Sequence, residues 1–313
     1  MATGTGYAPA TLERSIRFYR VDAGQNDAGE PLTFSARDSL ATLHELVEQG
    51  DRYASPPDGR VFSCWVDALN APQRVRMATI RRSELPEVED GGLLSPLNIP
   101  ATSGLAEHVH LVFFTNQILG ADFNFFGPRP SRFAWYHNEK TRGKHPPISV
   151  DPLLKADVAA SLQRMRDVRV LRLKIRRAYV ETIRAANSTL GRAFAAAAAA
   201  GDAEQVELVL APRRYSRTES LKSDLLTAVR RLARRSDLTD GDVLAFHVRG
   251  ENRDSGSIEE VDVLSSQVIT RRRIVRLNER TRVLDPDSAY SEIRAAFGEL
   301  REDIESASAI SLG

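Results

Sequence analysis

Arginine is the residue type in this sequence whose pattern best fits a definite chemistry. Residues 211–237, APRRYSRTESLKSDLLTAVRRLARRSD, contain eight Arg or Lys, whereas the whole chain carries a formal net charge of +1. Guanidinium groups bind phosphate oxygens in a planar, bidentate geometry and keep their charge at cellular pH. A stretch of this kind predicts contact with a partner that carries phosphates.

The second half of this stretch is expected to form a helix, capped by Thr218 or Ser220 and ending near Arg235. At about 100° per residue, its leucines and valine fall on one side and its arginines on the other. We therefore expect the apolar side to pack on a core and the arginines to form one outward cationic surface. The predicted phosphate contacts are, in falling order, Arg213, Arg214, Arg217, Arg230, Arg231, Arg234, Arg235 and Lys222, followed by the run Arg271, Arg272 and Arg273.

The partner that this chemistry suggests is DNA, recognised through its backbone. A duplex presents one negative charge per about 1.7 Å of its axis. The segment DVRVLRLKIRRAYV (167–180) alternates like a strand and would add a second basic face through Arg172, Lys174 and Arg176. A helix that reads bases would offer Asn, Gln and Ser beside Arg. Because the outer side of this helix offers little but Arg, we expect binding to double-stranded DNA with weak sequence preference.

Catalytic and metal-binding chemistry has no comparable support in the sequence. The chain contains no GxxxxGK or GxGxxG phosphate loop, no HExxH and no GxSxG motif. His108 and His110 would lie on one side of a strand, with Glu107 and Asp122 as candidate acids, but such a pair is more often structural than metal-binding. We therefore predict no catalytic residue, no metal and no cofactor.

Composition and cysteine content indicate a protein of the reducing cytoplasm. Apolar residues make up 42% and charged residues 27% of the chain, as in ordinary globular proteins. The first residues lack the basic and apolar segments of a signal peptide, and no apolar run approaches the roughly 20 residues that span a bilayer. The single cysteine, Cys64, excludes a disulfide framework within the chain and is expected to be a buried thiol.

The patterning predicts an α+β fold with mixed, hairpin-rich sheets, flanking helices and a C-terminal amphipathic helix. We divide the chain into an N-terminal α+β part (1–105), a central basic part that binds DNA (106–282) and an acidic helix (283–313). The segment NQILGADFNFFG (116–127) is expected to form a strand that breaks at Gly127.

The last predicted helix is acidic and amphipathic. Residues 283–313 hold two basic and seven acidic side chains. The apolar stripe of the helix consists of Ile293, Phe297, Leu300 and Ile304. This stripe could serve as a dimerisation element, or it could pack within its own subunit, and both possibilities stay open at this point.

Four segments of the chain follow one another in an order that matches a known family. The most similar is VFFTNQILGADFNFFGPRPSRFAWYH (112–137), in which two strands end in an aromatic-Gly-Pro and lead into a helical start. The others are residues 148–175, 206–226 and 288–304. Together they resemble the RexA-like family, the DNA-binding sensor component of phage-encoded superinfection exclusion.

The resemblance implies a cytoplasmic homodimer that binds double-stranded DNA without strong sequence preference. It also implies a partner, a small multi-span membrane protein that depolarises the infected cell. The basic turn of the family corresponds here to Arg213, Arg214 and Arg217. Two other functions stay open from the sequence: a metal-dependent nuclease of phage defence, and a recombination or regulatory accessory protein that binds a protein partner.

Overall fold

Two compact units make up the chain in the computed structural model. The model describes residues 9–26, 28–48, 51–57, 59–212, 220–235, 237–238 and 242–309. The first unit comprises Met1–Val150 and Ile269–Glu299, and the second comprises Asp151–Val268 and Leu300–Gly313. No helix among the described residues is long and apolar enough to cross a membrane.

The described residues form a mixed α+β fold, as the sequence predicts. The strands are β1 (Thr11–Asp22), β2 (Val61–Ala68), β3 (Gln73–Arg81), β4 (Glu87–Asp90), β5 (Leu93–Pro96), β6 (Leu105–Phe113), β7 (Ile118–Asp122), β8 (Ser149–Pro152), β9 (Val170–Arg176), β10 (Gln205–Leu210), β11 (Val243–Glu251), β12 (Ile258–Asp262) and β13 (Ile269–Val275). The helices are α1 (Ala36–Glu48), α2 (Pro130–Lys140), α3 (Ala156–Arg164), α4 (Val180–Ala186), α5 (Ser188–Ala200), α6 (Ser223–Ala233), α7 (Pro286–Glu299) and α8 (Arg301–Ser308).

The first unit is organised by a sheet with the strand order β13-β1-β7-β6-β3-β2, to which β8 adds by pairing with β1. Because side chains alternate along a strand, one face of this sheet is apolar and buries Tyr19, Leu111 and Cys64. Helices α1 and α2 supply Leu40 and Phe133 to the same core. The buried position expected for the Cys64 thiol is thereby confirmed.

Helix α7 covers the opposite face of this sheet, where Tyr290 and Ile293 are buried. A glycine in β7 allows the close approach, since a Cβ built on Gly120 would lie 2.7 Å from a methyl group of Ile293. The face under α7 also holds polar side chains, among them His110 and Asp122. The sheet is therefore apolar on one side and partly polar on the other.

The second unit contains a four-stranded antiparallel sheet with the order β10-β9-β11-β12. In β9, Leu171 and Leu173 are buried whereas Arg172 is exposed, which confirms the alternation predicted for this segment. Helix α6 packs its apolar side into the same core through Val229 and Leu232, also as predicted.

The C-terminal helix predicted from the sequence is in fact two helices, which break at Leu300 and belong to different units. Its apolar stripe packs within the chain, because Ile293 is fully buried in the first unit and Ile304 in the second. Phe297 stacks on Phe114 with ring centroids 3.9 Å apart. The stripe is thus used inside the subunit, and the homodimer stays a prediction.

The two units divide the chain differently from the three consecutive parts expected from the sequence. Strands β6 and β7 pair with β3 and β1, so a boundary near residue 105 would cut through one sheet. Strand β13 then returns to pair with β1 after the second unit has been completed up to Val268. The segment 106–282 therefore contributes to both units.

A register shift in β11 between Val243 and Ala245 leaves Leu244 outside the core that Phe246 enters, and this gives a matched pair of substitutions. Phe246 is 0% exposed and Leu244 is 36% exposed. We expect Phe246→Ala to lower the free energy of unfolding by about 3–5 kcal/mol, because it opens a cavity in the second core. The control Leu244→Ala is expected to cost no more than about 1 kcal/mol. Urea unfolding followed by circular dichroism measures both, and similar reductions in the two variants would contradict the assigned faces.

Candidate nucleic-acid interface

The arginines of α6 bind the molecule's own groups. The Nε of Arg230 donates to the carbonyl of Leu162 at 3.1 Å, and its Nη2 donates to the carbonyls of Gln163 and Met165 at 2.9 and 3.1 Å. These carbonyls belong to the end of α3, where a helix leaves its last oxygens unsatisfied and negatively polarised. Arg231 donates to the carbonyl of Ala186, the last residue of α4, at 3.2 Å.

Two further arginines at the end of α6 pair with carboxylates. Arg234 binds Asp151 at 2.9 and 3.2 Å. Arg235 binds both oxygens of Asp237 at 2.9 and 2.7 Å and the hydroxyl of Tyr179 at 3.2 Å. Burial lowers the pKa of Arg235, but the hydrogen bonds and charge of Asp237 outweigh burial, so the pKa lies above its ordinary value.

DNA contact stays a prediction for the four arginines of α6, of which Arg231 is exposed whereas Arg230, Arg234 and Arg235 are partly buried against internal acceptors. Their acceptors come mostly from segments far away in the sequence, so the helical pattern alone could not reveal them. Lys222 is exposed at the N-cap of α6, and its side chain makes no cap hydrogen bond. The predicted contacts Arg213, Arg214 and Arg217, and the cap candidate Thr218, lie outside the described residues.

The outer face of β9 is basic, as predicted, but acids lie beside it. Arg172 pairs with Glu207 at 2.5 Å and Arg176 with Glu204 at 3.4 Å. On the other side of β11, the edge strand β12 places Glu260 opposite Arg249 and Asp262 opposite His247. Positive and negative charges thus alternate across this sheet face.

Strand β13 presents its arginine run differently. Arg271 and Arg273 are exposed, whereas Arg272 points to the other face and pairs with Glu299. Arg271 lies 3.5 Å from Glu13, but both side chains are largely exposed, at 77% and 56%. Exposed pairs of this kind are weak and are screened by salt. Arg271 and Arg273 therefore remain accessible to a charged partner.

The chain that follows β13 carries further exposed arginines. Residues 269–284 contain six arginines and one acid, Glu279. Arg280 and Arg282 are exposed, and neither has an ion-pair partner among the residues that the structure describes. We call Arg271, Arg273, Arg280 and Arg282 the arginine edge, because β13 is the end strand of its sheet.

Next to Arg282 lies a loop, residues 123–129, that exposes two aromatic rings. Phe125 is 62% and Phe126 is 53% exposed, and their rings stand perpendicular with centroids 5.2 Å apart. The guanidinium carbon of Arg282 lies 5.3 Å from the centroid of Phe126. The loop begins next to β1, since the Phe123 N–H donates to the Ser15 carbonyl at 2.8 Å. Cationic and aromatic groups therefore share one surface.

Asn124 fixes the shape of this loop. Its side-chain amide is buried and donates to the carbonyl of His108 and to a carboxylate oxygen of Glu107, each at 3.1 Å. Its side-chain oxygen accepts from the Phe126 N–H and from Arg14, each at 3.3 Å. The strand predicted over 116–127 ends at Asp122, because the Asn124 side chain offers the backbone a turn in place of the next sheet bond.

Arg129 closes the loop from its far side. Its Nη1 donates to the carbonyl of Asn124 at 2.8 Å, and its Nη2 donates to that of Phe125 at 3.3 Å. The ring of Phe123 has two guanidinium carbons within cation–π range, those of Arg17 at 3.7 Å and Arg129 at 4.6 Å. The loop is thus held by Arg129 and by Arg17 of β1, while the rings of Phe125 and Phe126 stay exposed.

His108, His110 and Asp122 lie together but form an internal polar cluster. Asp122 accepts from the backbone N–H of His110 at 2.5 Å and lies 3.3 Å from its Nδ1. Both residues are buried, and the ring of Tyr290 on α7 contacts the His110 ring edge-on at 5.3 Å. In the described part of the chain, no group of three or more His, Cys, Asp or Glu could hold a metal ion.

Comparison with known proteins adds no family to this description. No family model matches the chain, and a search of curated proteins gives no match. The resemblance to the RexA-like family therefore rests on the sequence landmarks alone.

The contacts of Arg230 predict a structural role. Arg230→Ala removes three hydrogen bonds to the end of α3, and we expect the free energy of unfolding to fall by about 1–3 kcal/mol. The matched control is Lys222→Ala, an exposed cation at the N-cap of the same helix, which should stay within about 0.5 kcal/mol of the parent. Chemical denaturation measures both. Equal stability of the two variants would show that the carbonyl contacts contribute nothing.

His108 predicts a dependence of stability on pH. Burial, followed by the neighbouring His110 and Arg76, lowers the pKa of His108 to about 4, although Asp122 and Glu107 oppose the shift. An unfolded chain takes up this proton near pH 6.5. The stabilising contribution is therefore complete above about pH 6.5 and disappears as the pH falls towards 4.

A substitution isolates this contribution. The stability difference between pH 7 and pH 5, measured by urea unfolding, should be smaller in His108→Gln than in the parent. An unchanged difference would contradict the assignment.

Proposed function

We propose that this chain is a sequence-tolerant DNA-binding protein that contacts phosphates through the arginine edge. The observation that carries the proposal is the exposure of Arg271, Arg273, Arg280 and Arg282 on one segment that contains a single acid. The proposed setting is phage defence, by superinfection exclusion or abortive infection, in which the protein senses infection and acts with a membrane effector. The order of the sequence landmarks supports this setting.

The arginine edge suits a phosphate backbone for a geometric reason. Arg271 and Arg273 are two residues apart on a strand, so they project to the same side about 6.6 Å from each other. Successive phosphates of one DNA strand advance by about 3.4 Å along the axis. The line of phosphates along one DNA strand can therefore meet side chains that project to one side of β13, and each guanidinium can bind a phosphate through two N–H groups.

The same geometry supports weak sequence preference. Phosphate contacts position a protein on DNA and carry no sequence information by themselves. The edge consists of guanidinium groups on a strand and a loop, and no described helix carries it, so it lacks the usual element that enters the major groove. Binding is then expected to depend strongly on salt.

The proposal predicts the effect of removing the arginine edge. The triple variant Arg271→Ala, Arg273→Ala, Arg282→Ala should bind a labelled 20-base-pair duplex more weakly at 50 mM salt. The slope of log K against log salt should become shallower by about one for each arginine–phosphate interaction that the substitutions remove. Fluorescence anisotropy with two duplexes of unrelated sequence measures affinity, slope and sequence tolerance together.

The matched control is Arg142→Ala, which removes an exposed arginine that pairs with Glu139 three residues away. It should leave both affinity and slope unchanged. If the parent protein fails to bind either duplex at 50 mM salt, or if the triple variant keeps the parent slope, the proposed function is wrong.

A further inference from the structure

Phe125 and Phe126 place a contiguous aromatic surface in water. More than half of each side chain is exposed, at 62% and 53%. Single exposed apolar residues are normal on protein surfaces, but adjacent large ones form a patch of the kind that marks an interaction site. They are also the only exposed residues of loop 123–129.

Hydrogen bonds fix the backbone from which these rings project. The peptide groups on either side of Phe125 are tied to Asn124 and Arg129 by hydrogen bonds of 2.8 to 3.3 Å. Gly127 fits tightly, since a Cβ built on it would lie 3.0 Å from a methyl group of Val109 and 3.1 Å from Cβ of Asn124. The backbone that carries the rings is thus preorganised, which reduces the loss of conformational entropy when a ligand binds.

The charge around the rings indicates the chemistry of that ligand. The guanidinium carbon of Arg282 lies 5.3 Å from the Phe126 centroid, and that of Arg129 lies 6.0 Å from the Phe125 centroid. An apolar protein partner would remove water from these guanidinium groups and offer them no hydrogen-bond acceptor, which is energetically unfavourable. A nucleotide in a strand offers an aromatic base for the ring and a phosphate for the arginine.

We infer that Phe125 and Phe126 stack on unpaired bases, so that the surface binds single-stranded DNA more tightly than intact duplex. The inference rests on the proposed function and adds to it the strand state of the DNA. Arginine contacts to phosphate occur with paired and unpaired DNA alike. The aromatic face of a base is open to a side chain only where the base has left the duplex stack.

The experiment compares an oligo-dT 20-mer with a 20-base-pair duplex by anisotropy at the same salt concentration. The parent should bind the oligo-dT about tenfold more tightly. The double variant Phe125→Leu, Phe126→Leu keeps apolar bulk but removes the π-faces. Its affinity for oligo-dT should fall about tenfold while its affinity for duplex changes by less than about twofold.

A second variant and a spectroscopic signal separate stacking from damage to the loop. Phe125→Tyr, Phe126→Tyr retains the rings and should retain the preference for oligo-dT. A 2-aminopurine base within the single strand should change its fluorescence on binding the parent and the Tyr variant, but not on binding the Leu variant.

The outcomes distinguish the two proposals. If the parent protein binds neither DNA, both the proposed function and this inference are wrong. Duplex binding equal to or tighter than oligo-dT binding overturns the inference alone, as does an equal weakening for both DNAs in the Leu variant. A 2-aminopurine signal that the Leu variant preserves also overturns it.

Discussion

A guanidinium group that leaves water must find an acceptor, and this requirement organises the packing of the second unit. Desolvating an unpaired charge costs far more than one hydrogen bond returns. The partly buried Arg230 therefore ends on helix carbonyls, and Arg234 and Arg235 end on carboxylates, while the exposed Arg231 also donates to a helix carbonyl. These contacts connect α6 to α3 and α4. Arginines that look like a ligand-binding surface in the sequence therefore stabilise the packing of these helices in the folded structure. The exposed arginines of the arginine edge then define the surface that is left for a proposed partner.

The same reasoning explains what the sequence could and could not reveal. The alternation of β9 and the apolar side of α6 are local patterns with fixed periods, and both are predictable. The acceptors of Arg230 lie at 162–165, and no periodicity links those positions to position 230. The strand predicted over 116–127 is confirmed at 118–122 and wrong beyond Asp122, because apolar residues suggest a strand whereas the buried amide of Asn124 decides the conformation. The sequence feature that could have indicated the exposed rings is the pair Phe125 and Phe126 close to Arg129.

The first unit shows how a sheet can hold an irregular loop in place. Strand β7 lies between β1 and β6, so its end is fixed on both sides. The amide of Asn124 reaches back to β6, and Arg14 reaches it from β1. Beneath α7, His110 and Asp122 satisfy part of each other's hydrogen-bonding capacity at the end of the same strands. The loop that carries the two exposed rings is thus anchored to strands that are hydrogen-bonded to their neighbours on both sides.

The place of β13 in the chain has a consequence for biosynthesis. Strand β1 ends at Asp22, but β13 begins only at Ile269, after nearly all of the second unit. At a translation rate of about 5–20 residues per second, the intervening chain takes roughly 12 to 50 seconds to leave the ribosome. Until then β1 lacks this neighbour, and the polar face that α7 covers stays open to water. A polypeptide that stops short of β13 carries no arginine edge, so the proposed DNA-binding surface is complete only after both hydrophobic cores have been translated almost in full.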